Sequence, residues 1–186
     1  MAGEMNKKQL IVAGIIKSLL PILILLLLPI SLFAETKDFF ELIFEAEIED
    51  MRTGLQAWTD QKEIEKLSGI TLDDEYVKKL YQEFKSVLIN PPNPDTYTKY
   101  SIKNEKEVLK RTEQLGRRLH NLLMALSEED FEKYGNLIAG MRELLYIDVK
   151  HIPLAIKGDE SRVIYWYTWH NSVLELIKKE YSRLFE

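Results

Sequence analysis

A chain of 186 residues with 46% hydrophobic and 30% charged side chains has the composition of one globular domain, too short for two of ordinary size and too apolar for disorder. It contains no cysteine, which excludes disulfides, zinc–thiolate centres, covalently attached c-type haem and cysteine nucleophiles. Three lysines and one glutamate fall in residues 1–34, so of 25 basic and 30 acidic residues 22 and 29 remain in 35–186, a net of −7 that argues against nucleic acid as a partner.

Residues 1–34 read as a membrane address. Residues 19–30 are LLPILILLLLPI, and no charge occurs across the 17 positions 18–34. Lys7, Lys8 and Lys17 precede the run and Glu35 and Asp38 follow it, which orients the amino end to the cytoplasm and the remainder outside. A core helix would show a polar face here, and this run has none. Ala34 is a small residue suited to signal-peptidase cleavage, while Leu32 is larger than such a site prefers. A signal peptide is therefore expected, with a retained anchor through residues 9–33 as the rival. Residues 35–186 are expected to be the exported domain, periplasmic, extracellular or held at the membrane.

The rest of the chain shows helical periodicity. Phe40, Phe44, Ile48, Met51, Leu55 and Trp58 step by three and four, predicting a long amphipathic helix. A short helix over residues 60–68 stops at Gly69, and Thr71 with Asp74 predicts a capping box for the next. That helix carries Leu72, Tyr76, Leu80, Phe84 and Val87 on one face and ends at NPPNP, residues 90–94, where three prolines remove donors and favour extended backbone. Val108, Thr112, Leu115, Leu119, Leu122 and Leu126 mark a further helix, with acid-before-base pairs Glu107–Arg111 and Glu113–Arg117 on it. Ser127 and Asp130 open another, with Phe131, Tyr134, Ile138, Met141 and Leu145 inward. Residues 147–158, IDVKHIPLAIKG, alternate loosely around Pro153 and predict an extended connection or short edge strand. Asp159 or Ser161 caps a last helix. These elements predict an all-α fold: an up-and-down antiparallel bundle of four long helices and one short one behind the targeting segment.

Residues 163–172, VIYWYTWHNS, are the densest aromatic stretch. On a helix, Trp166, Trp169, His170 and Ile177 fall within about 60° of Val173, while Thr168, Asn171 and Ser172 fall opposite. Most of the cluster is thus expected in the core. Ile164 and Tyr165 fit that face poorly, and His170 on it needs a hydrogen-bond partner. Trp166, Tyr167, Trp169 and His170 are the candidate ligand-binding residues.

Catalytic constellations do not emerge. His120, His151 and His170 are separated by 31 and 19 residues, so no pair shares a helical turn and no metal site is expected. A b-type haem between Met51 and His170 is weaker than core packing for both, and no cofactor is expected. The acidic clusters at 45–50 and 128–132 suit a solvated face and a helix amino end respectively. Nucleophile elbows and phosphate-binding glycine loops are missing. The sequence therefore predicts a non-enzymatic helical binding or assembly subunit at the outer face of the cytoplasmic membrane, with other envelope proteins as partners. The alternative is a periplasmic small-ligand binder with an aromatic pocket around Trp166, Trp169 and His170.

Overall fold

The structure is a computed structural model that describes residues 49–97 and 100–186. Residues 1–34, expected to be a membrane address, and the first part of the long helix expected over 40–58 lie outside the described residues. The chain divides into two compact units, Met1–Gly54 and Leu55–Glu186. In the first, residues 49–54 are helical, and Arg52 clamps Glu49 one turn back through contacts of 2.6 and 2.8 Å.

The second unit is all-helical, with no strand among the described residues. Helix α1, Gln61–Leu67, is capped by Asp60, whose carboxylate accepts from the backbone N–H of Lys62 and Glu63. Helix α2 spans Asp74–Val87 and buries Val77, Leu80, Tyr81 and Phe84. Its cap is Asp73, accepting from Tyr76 N at 2.7 Å, and not the expected Thr71. Both residues lie close to the helix start, but the carboxylate at 73 is the one within reach of the orphan donor. After α2 the proline-rich stretch runs extended to one 3-10 turn at Pro94–Thr96. Helix α3 covers Glu105–Ala125, α4 Glu128–Ile156 and α5 Glu160–Phe185. Of the two acid–base pairs expected on α3, Glu113–Arg117 forms at 2.7 Å.

The extended connection expected over 147–158 is not there, because α4 continues as helix to Ile156 with Pro153 inside it. Helix α4 packs along both α3 and α5. Its buried residues therefore fall on two sides, from Tyr134 through Leu137, Ile138, Met141, Leu144 and Leu145 to Ile147, Asp148, His151 and Ile152. Burial on two sides erases the single-stripe period that marks a surface helix, and loose alternation results. Pro153 lies in the final turn, where one absent N–H is tolerated against that much burial. The stop comes at Gly158, whose φ of +88° is the left-handed conformation that glycine adopts freely. Nearby, the Tyr97 hydroxyl donates to the Ala155 carbonyl at 2.6 Å, pinning the α2–α3 connection to the end of α4.

Two further ties join the helices. The Asp60 N–H donates to Asn121 Oδ1 and Asn121 Nδ2 donates to Glu63 Oε2, locking α1 onto α3. The Tyr134 hydroxyl and Lys133 both bond Asp74, joining the starts of α4 and α2 and holding the Asp74 carboxyl below its usual range. The edge of the Trp58 indole comes up against Gly116 of α3, where a Cβ would come within 2.5 Å of it. Among the described residues no helix is long and apolar enough to cross a membrane.

Candidate functional site

The α4–α5 seam holds the polar residues with chemistry to offer. Trp166 and His170 are one helical turn apart on α5, so both reach the same point on α4. That point is Asp148, whose Oδ1 accepts from Trp166 Nε1 at 2.9 Å and from His170 Nδ1 at 3.0 Å. The side chains of Asp148 and His170 are both 0% exposed. Burial pushes the Asp148 carboxyl upward, opposed by the His170 and Trp166 bonds and by the nearby Ile89 N–H. Oδ2 and His170 Nε2 have no hydrogen-bond partner among the described residues.

A second contact lies further along the same seam. Trp169 Nε1 donates to Glu143 Oε1 at 3.1 Å. Glu143 is pushed upward by burial, with the Arg142 charge and the Trp169 bond opposing, and Arg142 is pushed downward by burial. Tyr165 bridges to His151 and Trp169, with ring centroids 5.1 and 5.2 Å away. Ile164 is 56% exposed, so the end of α4 does not cover it.

Of the four residues singled out from the sequence, Trp166, Trp169 and His170 are thus buried in the seam and bonded to acids of α4, while Tyr167 is half-buried. The sequence reasoning missed those acids. The signal was present: Asp148 interrupts the apolar run LLYIDV, where a lone carboxylate is costly unless hydrogen-bonded. As chemistry, an aspartate holding a histidine by Nδ1 is the orienting half of an acid–base relay. Here both partners are sealed, so exchanging a proton with a substrate would require the seam to open. His120 lies elsewhere, its Nε2 3.0 Å from Thr59 Oγ1, and is pushed down to about 4 by burial and by the Arg142 and Arg117 charges. Among the described residues no group of three or more acids and histidines is placed to hold a metal ion.

A cleft of about 450 Å³ opens beside the seam. Its walls come from the end of α2 and the chain after it, Ser86 to Ile89, from residues 100–103, and from Val108, Arg111 and Thr112 of α3. Tyr100 and Ile89 belong to the cleft and to the surroundings of Asp148 alike. The Tyr100 ring meets Trp166 edge-on at 5.3 Å, and its hydroxyl is pushed up to about 12 by burial and then by the Asp148 charge. The Thr112 hydroxyl is spent on its own helix, donating to the Val108 carbonyl at 3.0 Å. None of the four residues chosen from the sequence lines this cleft; Trp166 lies behind it, in contact with Tyr100. Comparison of the chain with family models, with curated proteins and with solved structures returns no match.

Proposed function

We propose that this chain is a non-enzymatic helical binding subunit carried to the outer face of the cytoplasmic membrane by residues 1–34, and that it takes a small ligand in the cleft between α2, α3 and residues 100–103. The observation that carries the proposal is the cleft itself. Its volume of about 450 Å³ lies within the range of roughly 300–1,000 Å³ usual for small-molecule sites. Its walls combine apolar side chains with a few hydroxyls and cations, the composition such sites share.

Against an enzyme stands the burial of the Asp148–His170 pair, which leaves no proton donor or acceptor of that pair facing solvent. Export rests on the uncharged run 18–34 and the lysines before it. The antiparallel order of α3, α4 and α5 is inferred from the short turns joining α3 to α4 and α4 to α5. Assembly with other envelope proteins belongs to the same proposal.

The test is a thermal-shift screen of the full chain, in lipid nanodiscs, against a metabolite library. A ligand well above its dissociation constant raises the melting temperature. At least one saturable shift, abolished when Val108→Trp fills the cleft, is expected. A library without effect would remove the ligand-binding proposal, and defined cross-linked adducts in cells would then leave only the assembly role.

A further inference from the structure

We propose that the ligand of this cleft is a small amphipathic anion, one carboxylate or phosphate head on a short apolar body, with Lys103 and Arg111 holding the head. This rests on the cleft being the binding site.

The first observation is the state of the cations. Arg52, Lys79, Arg117, Arg118, Lys133, Lys178 and Arg183 each pair with a carboxylate within 4 Å. Lys103 and Arg111, like several surface lysines, do not among the described residues, and these two are the cations that line the cleft. Arg111 has Glu107 one turn before it on α3, the spacing that favours pairing, yet the two form no ion pair. Arg111 lines the cleft instead. In a body of net charge −7, two uncommitted cations at one cavity make a local positive site.

The second observation is polarity along the cleft. Val87, Leu88, Ile89, Ile102 and Val108 give it an apolar lining suited to a hydrocarbon or aromatic body. The α2 carboxyl end contributes Ser86 and Val87, and its unsatisfied carbonyls give that wall the negative pole of a helix. Behind Tyr100 and Ile89 lies the Asp148 carboxyl. An anionic head is disfavoured at both of those places and favoured at Lys103 and Arg111. The Glu105 and Glu107 carboxylates in the first turn of α3 reduce the field there, which leaves the two side-chain cations as the main attraction. The apolar body then lies along Val87 and Ile89.

The experiment uses the full chain in lipid nanodiscs with isotope-labelled isoleucine and valine methyls. Octanoate, octyl phosphate, octan-1-ol and octylammonium are titrated while the methyls of Val87, Ile89, Ile102 and Val108 are followed. Partition into lipid is common to every protein compared, so the cleft methyls report the site alone. Saturable shifts are expected with octanoate or octyl phosphate, whichever binds tighter naming the head. Lys103→Gln with Arg111→Gln is expected to weaken that anion at least tenfold and leave octan-1-ol unchanged. Both residues are exposed, so the paired variant keeps its fold. Octan-1-ol or octylammonium binding as tightly as the anions, or a paired variant that binds the anions normally, overturns the anion assignment while the cleft remains a binding site. No shift at these methyls with any of the four probes overturns the cleft as well.

Discussion

Replacing Asp148 by leucine tests the seam most severely. Asp148 Oδ1 is the acceptor for Trp166 Nε1 at 2.9 Å and His170 Nδ1 at 3.0 Å, in a site with 0% exposure. Leucine has similar bulk and accepts nothing, so two buried donors lose their partner. A buried donor left unsatisfied costs about 1–3 kcal/mol, giving about 2–6 kcal/mol for the pair. Removing the desolvation penalty of the carboxylate and adding apolar surface returns part of this, leaving about 2–4 kcal/mol. Against a total stability of about 5–15 kcal/mol that is a large fraction. At roughly 2–4 °C per kcal/mol for a chain of this size, the melting temperature falls by about 4–16 °C. Asp148→Asn keeps an acceptor oxygen and is expected to cost about 1–3 kcal/mol less. His170→Leu is expected to cost less in the Asp148→Leu background than in the native chain, by about 1–3 kcal/mol of coupling. The assay is thermal and urea unfolding followed by tryptophan fluorescence. If Asp148→Leu leaves stability unchanged, or the two substitutions simply add, the seam is held by packing and the hydrogen-bond account is wrong.

Other consequences follow from single positions. Because burial holds His120 down to about 4, below the ordinary 6.5, the unfolded chain binds its proton first as pH falls. The histidine's contribution is fully present above about 6.5 and is lost as pH drops through about 4; its ceiling is about 3 kcal/mol, reduced by solvent screening. Stability curves of the native chain and His120→Asn should converge across that window, and parallel curves would remove the effect. Gly116→Ala places a methyl 2.5 Å from the Trp58 ring, so despite the better helix propensity of alanine it should destabilise by about 1–3 kcal/mol in urea unfolding. Asp73→Ala should cost about 1 kcal/mol through loss of the α2 cap, whereas Thr71→Ala should cost a few tenths or less; the reverse order would return the cap to Thr71.

The all-helical class, the short α1 and the inward placement of Trp166, Trp169 and His170 could all be read from periodicity, because the apolar residues of α5 keep to one arc. Helix α4 could not be read to its end. It is buried on two sides, so its period blurs after Leu145, and the warning from Pro153 outweighed a burial that only tertiary contact supplies. The Thr71 expectation failed for a smaller reason, since Asp73, two positions on and outside the capping-box pattern, is itself a strong capping residue and only geometry chooses. His170 needed a partner, and Asp148, the odd charge in LLYIDV, was visible but unassigned, because its pairing spans 22 residues and two helices. The cleft had no sequence signature at all. Ser86 to Ile89, Tyr100 to Lys103 and the start of α3 come together only when the proline-rich stretch folds back on the bundle.

The central claim is that ligand enters the cleft and leaves the aromatic seam undisturbed. The most direct measurement is the dissociation constant of octanoate or octyl phosphate for two variants of the full chain: Val108→Trp, which fills the cleft, and Trp169→Phe, which removes a seam donor to Glu143. The account predicts at least a tenfold loss of affinity for Val108→Trp and an unchanged constant for Trp169→Phe. Normal binding by Val108→Trp, with binding lost in Trp169→Phe, would contradict it and move the site into the seam.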